Sequence, residues 1–519
     1  MENTSDKKFP FFLSEGTVLE NALCFCLLAV MFCFFTTPIE DGDLFWHLKT
    51  GEWIWQNRAL PLQDLFSYTV SDINPFRPES GRIRFILQQY WLAQVCLYLV
   101  WKALGYTGIV LLRAVTYTTI LAIILLWMRR KGGGAAPLLF AFLTGTVLLT
   151  FPSERPQLFT FLFMPVCLYL LERVRSDDRI SPAGMLLPLL MLVWANMHGG
   201  YILGVVLVSF YLLFEFLSFS GKKWQKPRWQ KVAVLLVAMA AAGANPCGYD
   251  AFREVIGTLS AYSSAVQENA SPLTAAIQYH FYYPGYWLFL AMAAGVSVWR
   301  FRKIPPVHLL IILFLAALSL TSSRYMPFLL MASPLLAGHV REPGTRHKWV
   351  IVAVIISIWA VAVKPKRLFN FGPIHFFPDK AVQFLKENRP APQLFNFYHW
   401  GGYVIWSLPE YKVFVDGRAL VEEVVLVYHK ALYTDEWRSV LDANGVNTVL
   451  LPAVDMMNGS LFPLTLNLLR DSEWKLVFNN YLSLVFVRDT AANARVIRDH
   501  AIDKPEIFRE FLQYDAARH

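Results

Sequence analysis

Charge is scarce in this sequence. Only 16% of its 519 residues are Asp, Glu, Lys or Arg, against about 25% in soluble domains. With 55% hydrophobic residues and a mean hydropathy of +0.40, the chain cannot cover its apolar surface with polar groups in water, which excludes an ordinary soluble enzyme. Cysteine is also sparse: Cys24, Cys26, Cys33, Cys96, Cys167 and Cys247 show no metal-ligand spacing, so no structural zinc is expected. No Walker loop, G-x-G-x-x-G, G-x-S-x-G or H-E-x-x-H occurs in a fitting context, and Gly132-Gly133-Gly134 reads as a turn. The net charge of +9 would suggest nucleic acid in a soluble protein. Here the basic residues flank apolar segments, the pattern of the positive-inside rule, and no nucleic-acid partner is expected.

What is present is a series of apolar segments, near 17–37, 87–104, 107–128, 136–151, 157–171, 183–196, 199–218, 232–245, 284–299, 305–321, 324–339 and 348–363. A bilayer is crossed by about 17–25 residues, and the shorter segments suit helices ending in a protein-lined cavity. Lys7 and Lys8 precede the first segment and no small-residue cleavage site follows it, so it reads as an anchor. Five basic loops, starting at Arg129, Arg173, Lys222, Arg300 and Arg341, alternate with nearly uncharged ones. Placing the basic loops in the cytoplasm puts Ser153–Gln157, Asn196–Gly200, Asn245–Pro284 and Ser322–Tyr325 outside. Segment 87–104 carries Gln88, Gln89, Gln94, Trp91 and Trp101, and is read as interfacial. About eleven crossings remain, with the N-terminus inside and residues 366–519 outside. The expected domains are a helical membrane part, 1–365, carrying a first outer loop at 38–89, and an external α/β part, 366–519.

The first outer loop holds the densest polar chemistry. Asp41 and Asp43 follow the first segment directly. Asp43, His47 and Thr50 share one face of a helix whose other face is Leu44, Leu48 and Trp55, a helix expected to lie flat at the interface. Carboxylates and a histidine beside apolar side chains tend to be functional, although capping and headgroup anchoring would use the same residues. Further polar groups fall on the outer face: Arg113, Glu154, Arg155, Asn196, His198, Glu268, Asn269 and Arg324. Singly each suits a cap or a satisfied core group. Together they suit a cavity that holds an anionic headgroup on Arg113, Arg155 or Arg324. Asp41 and Asp43, with His47, also offer oxygen and nitrogen donors to a divalent metal such as Mg or Mn, but carboxylates at i, i+2 are a weak metal signal.

Beyond residue 366 the texture changes to short β-like runs (394–397, 412–416, 447–451, 475–478, 482–487) alternating with helical patterns near 379–388, 421–443 and 460–470. That is an α/β layer domain. Its Tyr398-His399-Trp400-Gly401-Gly402 and Val415-Asp416-Gly417-Arg418 segments end strand-like runs, where such folds bind ligands. A turn fixed by an Asp–Arg pair explains the second segment equally well.

Asp41-Gly42-Asp43, Arg155-Pro156-Gln157, Asn196-Met197-His198-Gly199-Gly200, Ser323-Arg324-Tyr325, Trp400-Gly401-Gly402-Tyr403 and Val415-Asp416-Gly417-Arg418 resemble a largely uncharacterised bacterial group of the GT-C superfamily. The resemblance covers nearly the whole chain. It implies a polytopic helical protein of the bacterial cytoplasmic membrane that takes a sugar from a polyprenyl-phosphate carrier, with inversion, and gives it to an acceptor on the outer face. The catalytic role falls on Asp41 or Asp43, with His47 beside them and a divalent metal sometimes present. Arg113, Arg155 and Arg324 would hold the carrier phosphate, with Asn196, His198, Glu268, Trp400, Asp416 and Arg418 as further binding residues. The sequence lacks the Asp-Glu pair of protein mannosyltransferases and the Trp-Trp-Asp signature of oligosaccharyltransferases, so neither substrate is assigned. A competing reading is a non-catalytic membrane protein whose external domain binds a partner or an envelope glycan through Trp400, Asp416 and Arg418. A transporter fits less well, because no inverted repeat is visible.

Overall fold

The structure is a computed structural model. It describes residues 18–70, 81–131, 135–177, 180–217, 219–220, 223–224, 228–261, 269–337, 339, 346–362, 368–369, 371–374, 376–455, 459–504, 507 and 509. The helices are α1 (Val18–Phe34), α2 (Asp43–Asn57), α3 (Gly81–Gln88), α4 (Trp91–Lys131), α5 (Ala136–Leu148), α6 (Gln157–Ser176), α7 (Leu187–Met197), α8 (Tyr201–Phe216), α9 (Trp229–Ala242), α10 (Asp250–Ala261), α11 (Pro272–Gln278), α12 (Pro284–Trp299), α13 (Pro306–Thr321), α14 (Met326–Met331), α15 (Pro334–Ala337) and α16 (Arg346–Ala362). A short hairpin, β1 (Phe219–Ser220) and β2 (Lys223–Trp224), joins α8 to α9. There follow α17 (Asp379–Asn388), β3 (Leu394–Asn396), α18 (Gly401–Ser407), α19 (Glu422–Tyr433), α20 (Trp437–Ala443), β4 (Thr448–Pro452), α21 (Pro463–Arg470), β5 (Trp474–Asn479), β6 (Ser483–Arg488) and α22 (Ala494–His500).

Two compact units result. One joins the residues up to Pro38 with Thr107–Phe371; the other joins Ile39–Tyr106 with Gly372 onward. The first outer loop, expected with the helical part, therefore groups with the α/β residues. Segments 87–104 and 107–128, read as separate, are two helical stretches within α4 that meet at Gly105, where the backbone leaves the helical region and φ is +61°. Only glycine enters that region readily.

In the helical unit, Gln157–Ser176 is long and apolar enough to cross a membrane; the stretch Gly81–Arg130, which has residues in both units and is interrupted at Gly105, meets the same test. The other apolar helices are 10–17 residues long. Several expose large apolar side chains, among them Leu213, Leu236, Leu288 and Leu313.

In the second unit the sheet order is β3-β4-β6-β5, with β3 and β4 parallel and the remaining pairs antiparallel. The run at 412–416, expected as a strand, forms no continuous ladder. Val413 bridges Leu394 on one side and Ser67 on the other, and beyond it the Asn396 side chain replaces backbone pairing. Asn396 accepts from Phe414 N at 2.9 Å and donates to Val415 O at 2.7 Å. The first outer loop thus adds an edge to this sheet, with Val413 N donating to Phe66 O at 2.9 Å and Thr69 Oγ1 to Phe414 O at 2.7 Å. Asn396 is fully buried, so Asn396→Leu is expected to leave two backbone groups unsatisfied. The cost is about 1–3 kcal/mol for each, read as a lower midpoint for this unit in hydrogen exchange or limited proteolysis.

Helix α2 does not have the single apolar face expected of an interfacial helix. Leu44, Phe45, Trp46, His47, Leu48, Thr50, Gly51 and Ile54 are all buried, because protein packs on both its sides. Helix α18 lies along one face, and the backbone of Gln94 in α4 meets Gly51 on another.

Candidate functional site

In the second unit, three sequence segments distant along the chain converge on Asp43. Asp41 Oδ1 accepts the backbone N–H of Asp43 at 3.0 Å, an Asx turn that opens α2. Asp43 Oδ1 accepts from the indole of Trp46 at 3.1 Å. The carboxylate of Asp43 lies against Gly417: a Cβ at that position would fall 1.9 Å from Oδ1. Gly401 and Gly402 let the start of α18 approach just as closely, since side chains there would meet Val415 O and Gly42 O at 2.4 Å each. His399, which immediately precedes this turn, shares the electrostatic surroundings of Asp43. Burial holds its imidazole below the ordinary histidine range, and Asp43 and Asp455 oppose that shift. The imidazole therefore stands neutral beside a carboxylate.

Most other candidates of this unit have structural duties. Trp400 is fully buried and its indole donates to Phe376 O at 3.0 Å, so it presents no surface to a ligand. Asp416 and Arg418 form a bidentate pair, Nε to Oδ1 and Nη2 to Oδ2, each 2.7 Å. A third member is Asp64 of the first outer loop, 2.5 Å from Arg418 Nη1. Asp64 also accepts from Ser67 N at 2.9 Å and from the Ser67 hydroxyl. Burial works against the Asp64 anion, but Arg418 and Ser67 prevail and hold its carboxyl below the usual range. All three side chains are buried, so the Asp–Arg pair fixes the loop and is not offered to a substrate. His47 is buried too, with Nδ1 3.1 Å from Gln94 Nε2 and its ring against Trp46 and Tyr90.

A divalent metal does not fit these donors. Among the described residues no group of three or more His, Cys, Asp or Glu side chains surrounds a common point. Asp41 and Asp43 each have one oxygen engaged by a local N–H.

The helical unit carries a second constellation. Arg113, expected to meet phosphate, instead pairs with buried Glu154. It also donates to Phe35 O at 3.0 Å and to Thr37 Oγ1 at 3.0 Å, tying down the chain as it leaves α1. Its exposure is 1%; the ion pair forms because neither charge could be buried alone. Asn196 bonds Leu192 O at 2.9 Å and Ala244 O at 2.8 Å, fastening the end of α7 to the end of α9. His198 is placed differently. Trp194 Nε1 donates to Thr160 Oγ1 at 2.8 Å, and Thr160 Oγ1 lies 2.9 Å from His198 Nδ1. Gly200 N donates to the same Nδ1 at 3.0 Å, which leaves the proton of a neutral ring on Nε2. Burial, then the charges of Arg155 and Arg324, push this loop histidine well below the ordinary range. Arg155 and Arg324, expected as anion-binding residues, thus act electrostatically on this neutral imidazole. Glu268 lies outside the described residues.

His399, Asp64 and Gly417 were not legible as site residues. Each acquires its role from a partner hundreds of positions away; His399 and Gly417 lie in segments marked as strand ends, but nothing local singles out these two residues within them, and nothing marks Asp64.

No protein-family profile matches the sequence, and no curated protein matches it. The fold is similar to solved structures of the Archaeoglobus fulgidus oligosaccharyltransferase. The apo form gives a TM-score of 0.57 at 11% identity, over 83% of this chain and 69% of that one. The form tethered to an acceptor peptide containing the NVT sequon gives 0.54 at 10% identity, over 90% and 74%. The form in complex with an inhibitory peptide and a dolichol-phosphate, named the archaeal oligosaccharyltransferase AglB, gives 0.53 at 11% identity, over 90% and 74%. At such identities the likeness is one of fold.

Proposed function

We propose that this chain is a membrane glycosyltransferase of the GT-C type, moving a sugar with inversion from a polyprenyl-phosphate-linked donor to an acceptor on the outer face of the bacterial cytoplasmic membrane. The observation that carries the reading is the placement of Asp43. Its carboxylate stands at the opening of α2, walled by Gly417 and close to a neutral His399. A fold similar to that of an enzyme solved with a tethered acceptor peptide and, separately, with an inhibitory peptide and a dolichol-phosphate supports it.

In this reaction Asp43 takes the proton of an acceptor hydroxyl as that oxygen attacks the anomeric carbon. The bond from that carbon to the carrier oxygen breaks, and its electron pair leaves on the phosphate. Asp41 shapes the turn and is not the base. The helical unit separately holds Arg155, Arg324 and His198, residue types that suit an anion. The exposed apolar helices suit a bilayer, in the proposed arrangement of about eleven crossings, N-terminus inside and α/β residues outside.

The test is release of radiolabelled sugar from polyprenyl-phosphate-linked donors by the purified protein. Turnover is expected, and EDTA is expected to leave it unchanged, because the donor set around Asp43 is not a metal site. Absence of release from every donor offered would overturn the transferase reading.

A further inference from the structure

A second feature of the α/β unit lies outside the Asp43 constellation. Helices α17 and α18 form an open cleft of about 510 Å³, within the size range of small-molecule sites. One wall is the exposed face of α17, where Asp379, Gln383 and Lys386 recur at i, i+4 and i+7. The other is Tyr403, Trp406 and Ser407 of α18, at i, i+3 and i+4.

The aromatic wall is rigid. Tyr403 stacks on Phe377 with centroids 5.1 Å apart, meets Phe45 edge-on at 5.0 Å, and hydrogen-bonds Ser407. Trp406 bonds Tyr106, meets the edge of Trp101 at 4.7 Å, and has Lys49 Nζ 5.9 Å from its ring. The members of the polar wall are exposed, with Gln383 Nε2 donating to Glu387 Oε1 at 2.9 Å. Asp379 and Lys386 sit about two turns apart, roughly 10 Å along the axis. They therefore do not neutralise each other, and the cleft offers separated acceptor, amide and donor groups opposite two fixed rings.

We infer that this cleft is a carbohydrate-binding subsite. A sugar presents what the two walls ask for: hydroxyls that donate and accept along one edge, and a C–H face that packs on aromatic carbon. An anion would find one cation opposed by a carboxylate, and a purely apolar ligand would leave three polar side chains dry. Tyr403 follows directly after Gly402, whose backbone touches Gly42, so the same short helix lines the cleft and borders the Asp43 turn. As the place where an acceptor glycan is held, the cleft rests on the glycosyltransferase reading; as a sugar site it stands alone.

The experiment is titration calorimetry on the full-length protein in a detergent with no sugar headgroup, using cellotetraose, maltotetraose and chitotetraose as probes. Saturable binding of at least one is expected, weakened tenfold or more in the double variant Gln383→Ala/Lys386→Ala and unchanged in Lys380→Ala, an exposed position of α17 outside the cleft. Because the first pair is exposed, its loss does not threaten folding. No binding of any of the three at millimolar concentration overturns the inference. So does binding that the double variant leaves intact, since the sugar would then sit elsewhere. Binding without sugar transfer would keep the subsite and remove only the transferase reading.

Discussion

Arg418→Met is expected to be among the most destabilising single changes in the α/β unit, lowering stability at neutral pH by about 3–5 kcal/mol. The reason is what it leaves behind. Asp64 and Asp416 would remain buried, two like charges facing the place where the guanidinium had been. Asp64→Asn should cost less, about 1.5–3 kcal/mol as the loss of a hydrogen bond to a charged group, because the bidentate Arg418–Asp416 pair survives it. The pH dependence separates the two further. In the native protein Asp64 has a depressed pKa. Its contribution is present above the unfolded value of about 3.9 and is lost as the pH falls through the folded one. In Arg418→Met the Asp64 carboxyl loses its cation, so burial, the largest influence on it, raises its folded value above the unfolded one. Its penalty is then relieved as the pH falls. Thermal unfolding between pH 7 and pH 4 should therefore show the variant gaining stability towards acid, while the Asp64 contribution in the native protein holds level across that window and is lost only below it. A variant that tracks the native pH profile would mean that the Asp64 carboxylate is solvated.

That ion-pair triad also shows where the sequence stops speaking. The period-3.6 pattern at 379–388 gives α17 its bounds, and four of the β-like runs become β3 to β6 within a residue or two, because burial on a sheet or helix face is a local signal. Asp41-Gly42-Asp43 likewise declares itself by charge against an apolar background. The Asp–Arg turn at 416–418 is visible as a turn, yet nothing near Asp64 reveals that it supplies the second carboxylate across 354 positions. Arg113 misleads for the same reason. A lone cation at a helix end invites a phosphate, and only the fold reveals Glu154 beside it. The break at Gly105 is legible, because a glycine between two apolar runs reads as an interruption, and the backbone there does leave the helical region.

Replacing Asp43 by asparagine is expected to lower sugar transfer by about 10²–10⁴-fold, the usual contribution of a positioned general base, with the protein still folded. Asparagine keeps the side-chain oxygen that accepts from Trp46 Nε1, so the loss is of basicity and not of shape. Asp41→Asn should stay near the native rate, since its oxygen serves as an acceptor for the Asp43 N–H and an amide oxygen does the same. Gly417→Ala supplies an independent check. Its Cβ would lie 1.9 Å from Asp43 Oδ1, forcing the carboxylate off its position, and a displacement of about 1 Å is enough for a loss on the order of 10²-fold. If the alanine acts through Asp43, the double variant Asp43→Asn/Gly417→Ala should transfer no more slowly than Asp43→Asn alone, because effects routed through one group do not add. Multiplicative losses would show that Gly417 harms turnover by another route, and native rates in Asp43→Asn would remove this carboxylate from the chemistry.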